Sequence, residues 1–486
     1  MSPSSIETPK LDQERDMEKE APTPQWDGDE QTSSHGDGSD QDQTDTLRAE
    51  SPQPPNDRPE SLSRVASLGG AVLRTFSRVS STIQPGPPPD GGLQAWLQVL
   101  GCHLVVMNTW GFVNSFGVFQ LYYKTFLDHP PSDISWIGSL QTFLLFFIGT
   151  FAGRVTDAGY FRHVFLVGAV FQLVGIYTAS VATSYWQLLL AHGICIGIGN
   201  GCIFTPALTI VSTYFSKKRS IAIGMSACGS VTGGVVFPIM ARQLLPSAGF
   251  PWTMRAIGFI LLANLVACFL IIKPRLPPRD TGALIEWAAF KDAAYSFYAA
   301  GAFLSLWGVY GAFYFLASFA RDIVEPAFST LESLNLLILL NAVGIIGRTI
   351  PNLLADRFGP INMFVPVAFT AGLLSFCWIA VETPTGLWVW TAFYGIFGGG
   401  IQSLFPAGLS SLTTDLGKAG IRIGMVLTIV SFAVLTGPPI QGAIITTMDG
   451  KYYGAQAFSG ASLMLGTGCF VGARMAKTRK IGGWKA

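Results

Sequence analysis

The sequence predicts an all-α polytopic membrane protein, with twelve transmembrane helices arranged as two six-helix parallel repeats. Three observations predict this fold class. Only 13% of the 486 residues are charged and 49% are hydrophobic, whereas soluble domains carry about 25% charged residues. Twelve apolar segments each approach the roughly 20 residues needed to cross the hydrocarbon core of a bilayer. The second six segments also repeat sequence features of the first six.

The predicted spans are joined by short loops, except for one longer loop at 273–294 that divides them six and six. They lie at roughly 96–123, 134–153, 163–182, 186–213, 220–243, 254–272, 295–319, 332–354, 361–380, 386–412, 422–446 and 454–475. The sequence therefore predicts an N-terminal six-helix bundle at 90–272 and a cytoplasmic linker at 273–294. A C-terminal six-helix bundle at 295–476 and a cytoplasmic tail at 477–486 follow.

The N-terminal segment, residues 1–89, differs from the rest of the chain. It holds 8 Lys/Arg and 16 Asp/Glu, and its first 60 residues contain almost no large aliphatic side chains. Such a composition cannot bury enough apolar area to offset chain entropy, which predicts a disordered acidic cytoplasmic tail. Between 62 and 83 apolar residues recur at helical spacing, with arginines among them. This pattern predicts either an amphipathic helix on the membrane surface or a nascent helix without a partner.

The distribution of basic residues predicts the orientation. If the N-terminus is cytoplasmic, 18 of the 23 Lys/Arg residues beyond residue 89 fall on the cytoplasmic side and 5 on the outer side. Loops that stay in the cytoplasm carry the excess of positive charge. This distribution predicts that both termini are in the cytoplasm. We expect a multi-pass protein of the plasma membrane, with a vacuolar or vesicular membrane as the alternative.

The internal repeat predicts how the spans are organised. The segment IAIGM at 221–225 matches IRIGM at 421–425, an offset of 200, and Pro206 and Pro238 match prolines at the same offset. Asp157 pairs with Asp356 at an offset of 199. Two parallel six-helix repeats are typical of transporters that rock one half against the other around a central site.

Three motifs carry a family resemblance. They are DGGLQAW at 90–96, YFSKKRSIAIGMSACG at 214–229, and GRVTDAGYFR at 153–162 with its echo ADRFG at 355–359. On these residues the chain resembles the major facilitator superfamily and, more narrowly, its fungal monocarboxylate-porter branch, over roughly residues 85–478. The resemblance implies the major facilitator fold and alternating access to a central substrate site.

For function, the resemblance implies a secondary active transporter of a small organic anion, monocarboxylate-like, or of a related metabolite. Proton–lactate symport is poorly supported, because the first-helix lysine of animal lactate carriers is missing and the eighth-helix aspartate position falls on Gly344. The glycine-rich segment 229–234 resembles exporters, so efflux of a fungal secondary metabolite is the alternative. A transporter-like nutrient sensor is an alternative of another class. The sequence shows no nucleophile–base pair, so an enzyme is not predicted.

The repeated loop motif suggests a conformational latch. An aspartate at a helix end, next to arginine and glycine, can form charge-assisted hydrogen bonds with neighbouring helix termini. The resemblance places Asp157, Arg162, Asp356 and Arg357 in this latch. The alternative interpretation is a plain solvated turn.

Five residues inside the spans are candidate substrate ligands. Arg348 is costly at membrane depth and is expected to face a cavity, although it could instead snorkel or brace the Asp356 loop. Asn108, Asn114 and Asn341 need polar partners in lipid, which substrate or neighbouring helices could supply. Tyr310 could stack on a flat ligand or serve as core. Gln402 is a further polar residue within a span.

Small residues predict close helix contacts, and Gly224, Gly229 and Gly233 in the fifth span are predicted packing positions. The seven cysteines show no CxxC spacing, so neither a metal site nor a cofactor is predicted. The expected partners are the lipid bilayer and a small, anionic substrate. Nucleic acid is not expected as a partner, and the sequence leaves the oligomeric state open.

Overall fold

A helical bundle accounts for all the regular structure in the part of the chain that the computed structural model describes, residues 86–127, 129–278, 285–412 and 416–481. The predicted acidic tail up to residue 85, with its amphipathic segment at 62–83, lies outside these residues. The described helices all belong to one compact unit.

The first half of the bundle contains six helical arms, as the hydrophobic pattern predicts. They are α1 (Gly92–Leu127), α2 (Pro131–Val155), α3 (Phe161–Ala179), α4 (Tyr185–Tyr214), α5 (219–248) and α6 (250–271). α5 and α6 form one continuous run that bends at Gly249, where φ is 73°. Pro246 and Pro251 flank the bend, and proline disfavours a straight helix because it lacks an amide donor.

The second half repeats this arrangement. It contains α7 (Ala293–Asp322), α8 (Thr330–Phe358), α9 (Pro360–Cys377), α10 (Pro384–Ser411), α11 (Leu416–Thr447) and α12 (Tyr453–Ile481). A short 3-10 helix, Trp287–Lys291, precedes α7 within the predicted linker. α12 continues to Ile481, beyond the predicted boundary at 476.

Eight helical runs among the described residues are long and apolar enough to cross a membrane. Two of these runs, Pro131–Ala179 and Arg219–Ile271, are 49 and 53 residues long. At 1.5 Å per residue each is far longer than one bilayer crossing. Each bends at a glycine with positive φ, Gly159 or Gly249, and so holds two arms. α10 and α12 complete the twelve arms.

Glycines set the closest helix contacts in the first half. A side chain on Gly229 would overlap the backbone carbonyl of His103, and one on Gly233 would lie 2.6 Å from the carbonyl of Met107. Both glycines therefore let α5 pack directly on the backbone of α1. Gly224 points the other way, because its Cβ would lie 3.0 Å from the carbonyl of Arg348 on α8. α5 thus contacts its own half and the opposite half through different glycines.

The bundle has two different ends. One end, called here the basic face, carries residues 86–91 and the loops 215–218 and 273–278. The Tyr214 carbonyl accepts a hydrogen bond from the Asp90 amide. The Arg275 guanidinium donates to the carbonyls of residues 86 and 87, and these bonds hold the segments together. The opposite face lies at the other end of α1, where the Lys124 Nζ contacts the Asp322 carboxylate of α7 at 3.1 Å.

Candidate functional site

A cavity of about 530 Å³ lies between the two halves of the bundle. Its lining comes from α1, α2, α4 and α5 in the first half and from α7, α8, α10 and α11 in the second. These two sets are equivalent in the internal repeat. The cavity reaches from Tyr310, Arg348 and Gln402 to Ser216 and Arg275 on the basic face. The ion pair of Lys124 with Asp322 lies beyond its deep end, so the described conformation is accessible from the basic face.

Aromatic rings form the inner wall of the cavity. Trp110 on α1 packs against Phe146 at 5.2 Å and Phe204 at 5.8 Å between ring centroids. The ring of Tyr310 on α7 lies almost parallel to Trp110, with an interplanar angle of 14° and a centroid distance of 6.3 Å. Phe405 on α10 contacts Phe146 from the other half. This wall offers a large apolar, flat-sided surface to a ligand.

The guanidinium of Arg348 is the charged group at the deep end of the cavity. Its side chain is fully buried, with 1% exposed, and its Nη2 donates to Gln402 Oε1 at 2.8 Å. Space for the guanidinium comes from two glycines, because a Cβ at Gly344 or Gly399 would overlap Nη1. Gly344 occupies the position at which animal lactate carriers have an aspartate in the eighth helix. No carboxylate of the described residues forms an ion pair with Arg348.

Three of the predicted ligands meet at the deep end. Asn114 Nδ2 donates to the same Gln402 Oε1 at 3.3 Å, and Asn341 Nδ2 approaches the Asn114 carbonyl at 3.4 Å. Asn114 belongs to the first half, and Asn341, Arg348 and Gln402 belong to the second. The polar contacts around Gln402 therefore join the two halves at the deep end of the cavity.

Asn108 lies in a different polar cluster. Its Nδ2 donates to the Leu261 carbonyl at 3.0 Å, and its Oδ1 accepts from Asn264 at 2.8 Å. Gln172 donates to the Asn108 carbonyl and to Asn200. This cluster joins α1, α3, α4 and α6 within the first half. The structure does not bring Asn108 together with the other predicted ligands.

Charged residues also line the path from the basic face. They are Arg154, Arg219 and Arg275, with Asp157 as the acidic member. Together with Arg348, the described residues that line the cavity include four arginines and one aspartate, so their formal charge is positive. A cleft lined by one sign of charge concentrates ions of the opposite sign. The electrostatic field therefore favours anionic ligands entering from the basic face.

The predicted latch residues separate into distinct contacts. The carboxylate of Asp356 accepts hydrogen bonds from the backbone amides of Ser220 and Ile221, at the start of α5. Asp157 lines the mouth of the cavity. The guanidinium carbon of Arg162 lies 5.0 Å from the ring centroid of Phe269 on α6, and that of Arg357 lies 5.6 Å from its neighbour Phe358.

Two of the sequence motifs contact each other on the basic face. Asp90, from DGGLQAW, accepts hydrogen bonds from the amides of Ser216 and Lys217, the latter at 2.8 Å. These amides belong to the motif before α5. The backbone amide of Ser216, followed by those of its neighbours, lowers the pKa of the Asp90 carboxyl. The carboxylate therefore fixes the entry of α1 to the α4–α5 loop.

The aromatic wall and the central position of Gln402 were not predicted. An alternation of aromatic residues along α1, α2 and α4 is equally typical of lipid contact, so sequence alone does not select Trp110, Phe146 and Phe204. Gln402 was one of several polar residues within spans. Its proximity to the candidate Arg348, on a glycine-rich helix able to approach closely, is the signal that could have distinguished it.

The sequence is similar to the sequences of known transporters. A family model described as Major Facilitator Superfamily matches residues 101–438. An MFS-type transporter of Gibberella zeae is 56% identical over 401 residues, which cover 82% of this chain and 90% of that protein. The aspyridones efflux protein of Emericella nidulans is 37% identical, with 83% of each chain covered. The fujikurins efflux protein of Gibberella fujikuroi is 32% identical and covers 88% of this chain and 94% of its own.

The fold is also similar to that of a solved transporter. The crystal structure of FucP in the outward conformation aligns with a TM-score of 0.57 at 16% sequence identity, and covers 78% of this chain and 98% of that chain. At this identity the similarity concerns the fold alone.

Proposed function

The chain belongs to the Major Facilitator Superfamily and is a multi-pass membrane transporter, and we propose that it exports an anionic, largely apolar small metabolite by secondary active transport. The named relatives whose printed descriptions specify a substrate are efflux proteins of Emericella nidulans and Gibberella fujikuroi. They support the efflux alternative over uptake of a small monocarboxylate.

One observation carries the proposal: the buried guanidinium of Arg348 at the end of an aromatic cavity. An isolated charge in a low-dielectric site is costly, and the neutral Gln402 amide offsets only part of this cost. An anionic ligand would supply the missing counter-charge, while its apolar part would pack on Trp110, Phe146 and Phe405. The site combines the chemistry for holding an acid group with that for holding an apolar framework.

The size of the cavity supports a metabolite larger than lactate. Pockets for drug-sized ligands typically have volumes of about 300–1,000 Å³, and this one has about 530 Å³. A two- or three-carbon acid would leave most of the aromatic wall uncovered. A multi-ring or long-chain acid would use both the wall and the guanidinium.

The proposed orientation is consistent with export. If the basic face is cytoplasmic, as the positive-inside rule predicts, the cavity loads from the cytoplasm in the described conformation. The proposed location is the plasma membrane, with both termini inside. A cysteine placed in the loop 273–278 should then be labelled by a membrane-impermeant reagent only after the cells are opened. Labelling in sealed cells would contradict this orientation.

Metabolite export is the direct test. Metabolites inside and outside cells with and without the protein are compared by mass spectrometry, and acidic apolar compounds should accumulate outside only when it is present. Arg348→Gln should abolish this difference, whereas Arg242→Gln, on α5 and away from the cavity lining, should preserve it. Export of neutral or cationic compounds only, or normal export by Arg348→Gln, would contradict the proposal.

The alternative of a nutrient sensor makes a different prediction. A sensor binds its ligand without moving it across the membrane. A transporter does both, so we expect the purified protein in proteoliposomes to bind and to transport the metabolite found by the export comparison. Saturable binding without flux would favour the sensor.

A further inference from the structure

We propose that Tyr310 and Gln402 form a second recognition point beside Arg348, which selects acids that carry a neutral carbonyl oxygen next to the anionic group. The inference rests on the proposed function, because it concerns the substrate of the same cavity. It specifies the substrate as an apolar 2-oxo acid, or an acid with an equivalent carbonyl–anion pair.

The orientation of the Gln402 amide follows from its partner. An arginine side chain has only donors, so the atom of Gln402 that faces Arg348 Nη2 at 2.8 Å must be the oxygen. Oε1 also accepts from Asn114. The Nε2 group must therefore point away from Arg348, and it is buried without a hydrogen-bond partner among the described residues.

Tyr310 supplies the second unused donor. Its side chain is 2% exposed, and its hydroxyl has no hydrogen-bond partner among the described residues. Tyr310 lines the same cavity as Gln402 and Arg348. Two other buried tyrosines of the second half are satisfied: Tyr394 donates to the Val309 carbonyl and Tyr298 to the Phe405 carbonyl.

The charged donor and the two neutral donors would recognise different parts of the substrate. The guanidinium holds the carboxylate or enolate, because charge-assisted hydrogen bonds to anions are the strongest available. The amide Nε2 and the phenol hydroxyl are neutral donors, and a neutral carbonyl oxygen with two lone pairs can accept from both. A site built to hydrogen-bond a polar substrate group discriminates against analogues that lack it, because its buried donors then stay unpaired.

A matched pair of probes separates the two points. 2-Oxo-4-phenylbutanoate and 4-phenylbutanoate carry the same phenyl group and carboxylate, and only the first carries the carbonyl. Affinities are measured by calorimetry on the full-length protein in lipid nanodiscs at pH 7.4, where both acids are ionised. The wild type should bind the oxo acid about tenfold more tightly, as expected for one or two net hydrogen bonds.

The variants then assign the preference to its donors. Tyr310→Phe and Gln402→Met should each reduce the ratio of the two affinities to about threefold or less, while affinity for 4-phenylbutanoate falls much less. Tyr394→Phe removes a hydroxyl that is already partnered, so it should keep the tenfold ratio. A variant that failed to fold would lose affinity for both probes equally. Loss of selectivity would instead change the ratio of the two affinities.

The outcomes also separate this inference from the proposed function. If both probes bind equally to the wild type, and Arg348→Gln weakens both, the carbonyl inference is overturned and the anion site stands. If both Tyr310→Phe and Gln402→Met keep the tenfold ratio, the assignment to these donors is overturned. If Arg348→Gln binds both probes as the wild type does, or the wild type binds neither, the proposed anion site fails and the inference fails with it.

Discussion

Asp356 at the end of α8 accepts a hydrogen bond from the backbone amide of Ile221 in the first turn of α5, at 3.2 Å. The two residues belong to opposite halves of the bundle. A carboxylate at a helix N-terminus is stabilised by the unpaired amides and by the helix dipole. Movement of the two halves relative to each other at the basic face would separate these groups, so the contact stabilises the described conformation.

The first prediction concerns this contact. Asp356→Asn keeps an acceptor oxygen but removes the charge, and such charges at helix N-termini contribute about 0.3–1 kcal/mol. The equilibrium between conformations should shift by about two- to fivefold. We expect the maximal rate of export to fall by a similar factor, with substrate affinity unchanged, in proteoliposome kinetics.

The matched control for Asp356→Asn is Glu332→Gln. Glu332 also accepts a backbone amide at a helix N-terminus, that of Ser329 at 2.9 Å, but within α8 alone. Its loss should lower thermal stability without changing the rate. If Asp356→Asn instead weakens substrate binding as strongly as loss of Arg348, the residue is part of the binding site and not a latch.

The second prediction concerns the opposite face. Lys124 and Asp322 join the halves there, and the Tyr452 hydroxyl also donates to the same carboxylate oxygen at 2.9 Å. The side chains of Lys124 and Asp322 are 38% and 36% exposed, so this ion pair should contribute at most about 1 kcal/mol to the free energy of closure. Lys124→Ala should increase opening at this face up to about fivefold, measured by labelling of a cysteine introduced at the buried Leu337, which faces Gly117 across the interface.

A charge exchange controls this experiment. The double variant Lys124→Asp with Asp322→Lys restores an ion pair and should return labelling towards the wild-type rate. Raising the salt concentration should reduce the difference between wild type and Lys124→Ala because exposed pairs are screened. Equal labelling of wild type and Lys124→Ala at low salt would show that the pair has no role in closure.

The sequence identified the parts of the site that follow from repetition and helix assignment. Asp356 was found as the repeat of Asp157, and its position just after the predicted span 332–354 already placed it at a helix end. Arg348 followed from the rarity of arginine inside a span. Asn114 and Asn341 were candidates because polar side chains inside a span need partners, and the structure brings them together.

Asn108 shows why the remaining assignment needed coordinates. It lies six residues before Asn114 on α1, which corresponds to a rotation of roughly 240° in a regular helix, so the two face different directions. A π-helical turn at Met107–Gly111 further changes the angle between the two side chains, and no pattern in the sequence predicts this turn. Gln402 depended on how closely α10 approaches α8 at Gly399 and Gly344, which is a property of tertiary packing.

The third prediction concerns helix packing. Gly229→Ala would place a methyl group against the carbonyl of His103, with backbone on both sides. Overpacking of this kind costs about 1–3 kcal/mol, so the thermal midpoint in detergent should fall clearly. Gly468→Ala is the control, because a Cβ there meets no atom within 4 Å. That substitution should leave the midpoint unchanged or raise it, since alanine is the better helix former.

The fourth prediction concerns pH. Hydrogen bonds from the amides of Ser216 and Lys217 lower the pKa of Asp90 below its usual value of 3.8. The ionised carboxylate therefore stabilises the folded state fully above pH 3.8, and this contribution is lost as the pH falls through the lowered pKa. Asp90→Asn should unfold at a lower temperature than the wild type at pH 7, and the difference should shrink below pH 3.8. A difference that grows on acidification would contradict the assignment.

The last prediction separates the possible roles of Arg348. If its guanidinium holds the anionic group of the substrate, Arg348→Lys keeps the charge but loses the planar fork, and affinity for an acidic substrate should fall about tenfold. Arg348→Ala should weaken binding by about 10- to 150-fold, because hydrogen bonds to charged groups contribute about 1.5–3 kcal/mol. If Arg348 only braces the Asp356 contact, Arg348→Ala should instead behave as Asp356→Asn does, with normal affinity and a reduced maximal rate. Affinity and maximal rate measured for all three variants decide between the roles, and normal values of both for Arg348→Ala would leave the cavity without its anion ligand.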